Sequence, residues 1–275
     1  MKKHEYSVII KILLISVGNL VTGAPTDGLK IFGGQDAAPG QFPYMVSIQN
    51  CRESTCKHEC GGSVLAPSWI ITAGHCACEG PQCQVVAGIL NMSETSEWRQ
   101  TVEVEKAHVH EKYLNFLDAY DISLLQLKEP LTYNDRVQPI PLPKSNWSYS
   151  GEAVVSGWGR INGNYDANIP DTLQFQKSTV PKNDECMDLI AARMHGQTNP
   201  FDVTRNVCTD NAVPDRGICS GDSGSPLVAE GVVIGLASWA FTPCGQAKAP
   251  SAFTRVSYFV DWIHDHMNST DSTMY

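Results

Sequence analysis

Gly221-Asp222-Ser223-Gly224-Ser225-Pro226 sets a serine hydroxyl among glycines. A hydroxyl is a weak nucleophile until a base takes its proton and fixed donors stabilise the oxyanion its attack creates. The flanking glycines let backbone amides, here those of Gly221 and Ser223, converge on that oxygen. Upstream, the apolar stretch Ile71-Thr-Ala-Gly-His75-Cys76 ends in a histidine. Between them Asp121 opens Asp-Ile-Ser-Leu-Leu-Gln-Leu, a carboxylate leading into a run apolar enough to be buried. An acid placed there needs a partner, or its desolvation is costly. Singly, each has an ordinary explanation: a Gly/Ser turn, a structural histidine, a turn aspartate. In the order His75, Asp121, Ser223 they carry more weight together than apart.

The elements that would position these residues are short. Past residue 30, apolar runs of strand length alternate with Gly, Pro, Asn and Asp. Tyr44, Val46 and Ile48 fall on one face at strand period, and Leu173, Phe175, Lys177 and Thr179 also alternate. Ile122–Leu127 and Val232–Ala237 are nearly continuous apolar runs. Many short strands with turn signals indicate a sandwich or barrels. Two helices are expected: one over 184–195, with Met187, Ile190 and Met194 on one face, and one near the end carrying Phe259, Val260, Ile263 and Met267. Pro139-Ile-Pro-Leu-Pro is the linker candidate, because three prolines cannot feed a central ladder.

The chain has 275 residues and a formal charge of −9, which argues against an electrostatic grip on nucleic acid or anionic lipid. A hydrophobic share of 42% with 18% charged residues fits a large core rather than disorder. Lys2 and Lys3, a mostly apolar Val8–Val21 run and the small Gly23 and Ala24 read as a secretory signal over 1–23. The alternative, a membrane anchor, is interrupted by Lys11 and short of the roughly 20 apolar residues a span needs. Ten cysteines, an even number in an exported chain, read as disulfides. The rival reading, zinc held among Cys60, His75, Cys76 and Cys78, lacks the regular ligand spacings. Asn91-Met-Ser, Asn146-Trp-Ser and Asn268-Ser-Thr are glycosylation acceptors. A secreted, extracellular protein is expected.

Seven motifs occur in order: Ile31-Phe-Gly-Gly, Cys60-Gly-Gly-Ser, Thr72-Ala-Gly-His-Cys, Asp121-Ile-Ser-Leu-Leu, Ser156-Gly-Trp-Gly, Gly221-Asp-Ser-Gly and Ser238-Trp239. Over residues 31–267 the chain thus resembles the chymotrypsin-fold, trypsin-like serine proteases. The resemblance implies an all-β fold of two six-stranded antiparallel barrels with a C-terminal helix. It places His75 and Asp121 in a first barrel over 31–140 and Ser223 in a second over 141–275. Ser223 would attack the scissile carbonyl, His75 would carry the proton, Asp121 would orient His75, and the Gly221 and Ser223 amides would bind the oxyanion. Cutting after Lys30 would remove a propeptide, 24–30, and free the Ile31 amine to pair with Asp222. Phe32 stands where valine is usual, and Ser225 where glycine is more common.

By the same resemblance Cys60–Cys76, Cys186–Cys208 and Cys219–Cys244 pair, while Ala153 and Ala229 replace a further bridge. Cys51, Cys56, Cys78 and Cys83 remain, paired with nearest neighbours or crossed between the two loops. Gly217 stands at the pocket floor, where trypsin-like members carry an aspartate, and Ser251 at an alternative acid site. With Ala240 on the wall and substrate backbone along Ser238, Trp239 and Ala240, the pocket is expected to prefer small to medium apolar side chains, or aromatic ones. Arg216 beside the floor is read as a solvated loop residue. The family's calcium loop begins with an acid where this chain has Ile89, so no metal and no cofactor is expected, and Glu94 and Glu97 are read as solvated. Expected partners are protein or peptide substrates, an activating trypsin-like protease and protein inhibitors, acting on a monomer. A protease-shaped binding protein that does not hydrolyse is the alternative from another class.

Overall fold

A computed structural model describes residues 34–53, 55–115, 117–161, 169–211 and 216–271. The first half contributes β1 (Gln35–Asp36), β2 (Met45–Arg52), β3 (Thr55–Ala66), β4 (Trp69–Thr72), β5 (Gly80–Ala87), β6 (Gln100–Val109) and β7 (Ser123–Leu127). The second contributes β8 (Gly151–Gly157), β9 (Gln174–Val180), helix α1 (Asn183–Ala191), β10 (Asn206–Thr209), β11 (Pro226–Ala229), β12 (Val232–Ala240), β13 (Ser251–Arg255) and helix α2 (Val260–Asp271).

Strands β2-β3-β4-β7-β6-β5 close into an antiparallel barrel. Its interior is filled by Val46, Ile48, Val64, Ile70, Val85, Val104 and Leu125. The run that opens at Asp121 is apolar on both faces because β7 is buried on both. Leu125 and Leu127 fill the barrel, while Ile122 and Leu124 face outward into a cluster with Phe259 and Ile263 at the C-terminal helix. Helix α2 therefore packs on the first barrel, sealed by the same strand that presents the aspartate.

The remaining strands form one sheet in the order β1-β9-β8-β11-β12-β13-β10. Here the architecture agrees with a two-barrel fold, but the second half is a curled, seven-stranded sheet rather than a closed six-stranded barrel. The extra strand is β1, which pairs only through Gln35 and Asp36 with β9. Beyond its reach, the Asp210 N–H donates to the Thr179 carbonyl at 3.1 Å. Among the described residues, that backbone bond spans the gap between β9 and β10 where a ladder would close a barrel. The proline-rich segment carries no strand and touches both halves: the Ile140 N–H donates to Val64 O and the Val233 N–H to Pro141 O.

Helix α1 ends at Ala191, earlier than the apolar spacing suggested, and His195 beyond it has φ +46°. Met187 and Met194 still reach one cluster with Ile190, Phe201 and the Cys186–Cys208 bridge. All ten cysteines are paired. Cys60–Cys76 and Cys219–Cys244 form as the resemblance implied, and the four others pair with nearest neighbours, Cys51–Cys56 and Cys78–Cys83. Every thiolate a zinc ion at Cys60, Cys76 and Cys78 would require is thereby consumed. Ala153 and Ala229 are buried in the apolar cluster of the second sheet.

Candidate active site

Asp121 is fully buried at the entrance of β7. Its carboxylate accepts three hydrogen bonds. His75 donates twice, from its backbone N–H to Oδ1 at 2.9 Å and from Nδ1 to Oδ2 at 2.8 Å. Ser238 on β12 donates its hydroxyl to Oδ2 at 2.6 Å. A carboxylate only accepts, so the imidazole proton sits on Nδ1 and the Nε2 lone pair is available as a base. Gly74 leaves this approach uncrowded: a Cβ there would lie 3.2 Å from Asp121 Oδ1 and from the Ile122 N. The Cys60–Cys76 bridge anchors the loop immediately after His75.

Ser223 lies on the turn entering β11, half-buried. Its carbonyl accepts from the Gly61 N–H at 2.8 Å, and the next residue packs on the strand leading to His75. A Cβ on Gly224, which has φ +75°, would meet Thr72 Oγ1 at 2.0 Å and Ala73 N at 3.1 Å. Among the described residues, the amides of Gly221 and Ser223 have no acceptor, whereas those of Asp222, Gly224 and Ser225 do. Two amide donors are thus left over on the turn that carries Ser223.

Asp222 supports that turn from beneath. The Gly159 N–H donates to Oδ1 at 2.8 Å and the Cys219 N–H to Oδ2 at 3.0 Å. Burial pushes its carboxyl up to about 6 despite these bonds. Gly157 and Gly159 leave the space it occupies, since a Cβ on either would approach the carboxylate to 2.3 or 2.2 Å. His58, which the sequence did not single out, holds the other side. Its Nε2–H donates to the Gly221 carbonyl at 2.8 Å, and the Ser47 hydroxyl donates to Nδ1 at 2.8 Å. Burial holds its pKa down at about 4, so it stays neutral at physiological pH. No spacing signal linked it to the serine, because it reaches the turn only through the β2–β3 pairing. The Ser225 hydroxyl is buried against Gly61 and Gly157 with no partner among the described residues.

Gly217 has φ +134°, and a Cβ there would meet the Asn211 side-chain nitrogen at 2.6 Å and Ser251 Oγ at 3.1 Å. Asn211 donates to Ala249 O and to Ser251 Oγ, which also accepts from the Ile218 N–H. Asn211 is a second residue that sequence reasoning missed, and the surroundings of Gly217 are more polar than the neutral floor alone suggested. Trp239 and Ala240 are half-buried along β12, and Arg216 is half-buried. Glu94 departs from the solvated loop expected of it. It accepts from the Leu90 N–H and the Ser96 hydroxyl and pairs with Arg136 at 2.7 Å. Glu97 lies beside that loop, and Ile89 is buried. Asn146 and Asn268 are exposed, while Asn91 is half-buried. Lys30 and Ile31 lie outside the described residues.

A closed barrel and a curled antiparallel sheet that share one aspartate and meet at a serine-bearing turn define the chymotrypsin-like fold. The trypsin family profile matches residues 31–263, and the chain belongs to that family: it is a serine endopeptidase. Trypsin-1 of Astacus astacus is 39% identical over 246 residues, covering 85% of this chain and 98% of that protein. Putative trypsin-6 of Homo sapiens is 31% identical over 255 residues (92% and 96%). Kallikrein-1 of Mus musculus is 30% identical over 275 residues (96% and 99%).

Proposed function

We propose that Ser223 is the nucleophile of this endopeptidase, His75 its general base and acid, and Asp121 the group that orients His75. The observation that carries the assignment is the Asp121–His75 pair, whose geometry leaves Nε2 basic. Ser223 Oγ attacks the scissile carbonyl as Nε2 takes its proton. The Gly221 and Ser223 amides receive the oxyanion, a stabilisation of about 3 kcal/mol per donor by analogy with another protease. The imidazolium then protonates the leaving amine, and water repeats the sequence to release the acyl group.

The protein is made as a secreted zymogen, with a leader over 1–23 and a propeptide over 24–30. A trypsin-like protease cuts after Lys30, and the Ile31 ammonium pairs with Asp222. A fully buried carboxylate with its pKa raised by desolvation is a site that gains from a cation. Five disulfides suit an oxidising route, and the exposed Asn146 and Asn268 suit glycosylation. Before the scissile bond, small to medium apolar or aromatic side chains are favoured. Neither Gly217 nor Ser251 offers a carboxylate, so a buried guanidinium would go unpaired there.

Fluorophosphonate labelling tests the assignment. Protein cut after Lys30 should be labelled at Ser223, with labelling lost in Ser223→Ala and weak before the cut. Correctly cut protein that takes no label would refute it. A peptide panel varied at the residue before the cut tests the pocket, and a preference for arginine would overturn that part alone.

A further inference from the structure

Among the described residues, one groove on this acidic molecule is lined by more cations than carboxylates. A groove of about 610 Å3 lies between the β2–β3 hairpin and residues 169–171. Among the described residues its charged lining is Lys57, Arg99 and Arg160, against the single carboxylate of Asp171. That carboxylate is engaged by the Ser93 N–H at 2.8 Å and the Ser93 hydroxyl at 2.7 Å. Arg99 donates to the Met92 and Glu94 carbonyls rather than to a carboxylate. On a chain of net charge −9, this is a local positive potential.

The groove also adjoins the reaction centre. His58 lines it and holds the Gly221 carbonyl. Arg160 lines it too, and its N–H donates to Ser220 O at 2.9 Å. Strand β12 is joined to Asp121 through Ser238. On the mechanism proposed above, a peptide paired with β12 on the acyl side would cross Ser223 and leave past the Ser220–Gly221 turn, which His58 and Arg160 hold. We infer that this groove receives the segment downstream of the scissile bond and selects acidic side chains among its first residues. Planar guanidinium groups suit carboxylates, which they can grip through two parallel bonds. Such a preference presupposes that Ser223 is the nucleophile proposed above.

The test uses protein cut after Lys30 and internally quenched peptides with a common acyl side. The second and third residues after the cut are Glu, Ala or Lys. The Glu peptide should show a kcat/KM about threefold to tenfold above the Ala peptide at low salt, with Lys below both. That ratio should shrink toward one in about 1 M NaCl and in the double variant Lys57→Ala, Arg160→Gln. It compares two substrates on one preparation, so partial misfolding of the variant does not imitate its loss. Efficient cleavage with Ser223 labelled but equal rates for Glu and Ala overturns the groove's role and leaves the nucleophile standing. Failure of both labelling and cleavage overturns the nucleophile and the preference together. Salt-sensitive binding of a sulfated polysaccharide, with a Glu-to-Ala ratio of one, would reassign the groove and also overturn the proposal.

Discussion

Asp121 accepts from His75 twice and from Ser238 once, and these bonds are unequal in consequence. Asp121→Asn keeps the shape but presents an amide that no longer demands the proton on Nδ1. We expect kcat to fall by about 10^4-fold with KM little changed, as steady-state kinetics on one peptide would show. Ser238→Ala removes one donor and leaves the tautomer set, so a far smaller loss is expected in the same assay. Beneath the turn, His58 and Asp222 titrate against one another. His58 has a folded pKa of about 4 against 6.5, so its contribution is complete above pH 6.5 and is lost as pH falls toward 4. Asp222 lies at about 6 against 3.8, so its contribution is complete below pH 3.8 and is lost as pH rises through 6. Each is worth about 3 kcal/mol, with opposite signs in the same window. Urea midpoints of the uncut protein between pH 4 and 6 should therefore change little from this pair. Relative to the parent, His58→Gln should grow more stable on acidification from pH 6 to 4, and Asp222→Asn should grow less stable.

The elements around the turn are shaped by what glycine leaves empty. A Cβ on Gly159 would sit 2.2 Å from the Asp222 carboxylate, so Gly159→Ala should cost about 1–3 kcal/mol and weaken labelling of Ser223. Ser225→Ala should do the reverse, stabilising by about 1 kcal/mol, because it removes a buried hydroxyl without a partner among the described residues. A thermal melt of each variant checks both signs. The strands themselves were legible wherever one face is apolar, and β7 and β12 were legible as continuous runs because both their faces are buried. Local bridges such as Cys51–Cys56 were also within reach, since five residues separate the partners. Less legible were features made by distant chain segments. His58 meets Gly221 across 163 residues, and nothing beside it in sequence announces that contact. Glu94 looked like an exposed loop acid because its partner Arg136 lies 42 residues away. The early end of α1 and the curled second sheet likewise depend on backbone geometry that periodicity does not encode.

At the scale of the whole molecule, α2 and the proline-rich segment hold the halves in register. Ile263 is fully buried among Trp69, Ile71 and Leu124 of the first barrel and Val233 and Leu236 of β12. Ile263→Ala should therefore destabilise by about 2–5 kcal/mol, read as a fall in the urea midpoint. Asp121 has a comparable dual attachment. It rises from the first barrel, yet Ser238 holds its side chain and the Thr254 hydroxyl donates to its backbone carbonyl at 2.7 Å, both from the second sheet. Turnover is consequently a gauge of how the two lobes sit on each other. A crevice opened by the length of one contact would cast the imidazole adrift, extinguishing the enzyme while each lobe was still intact.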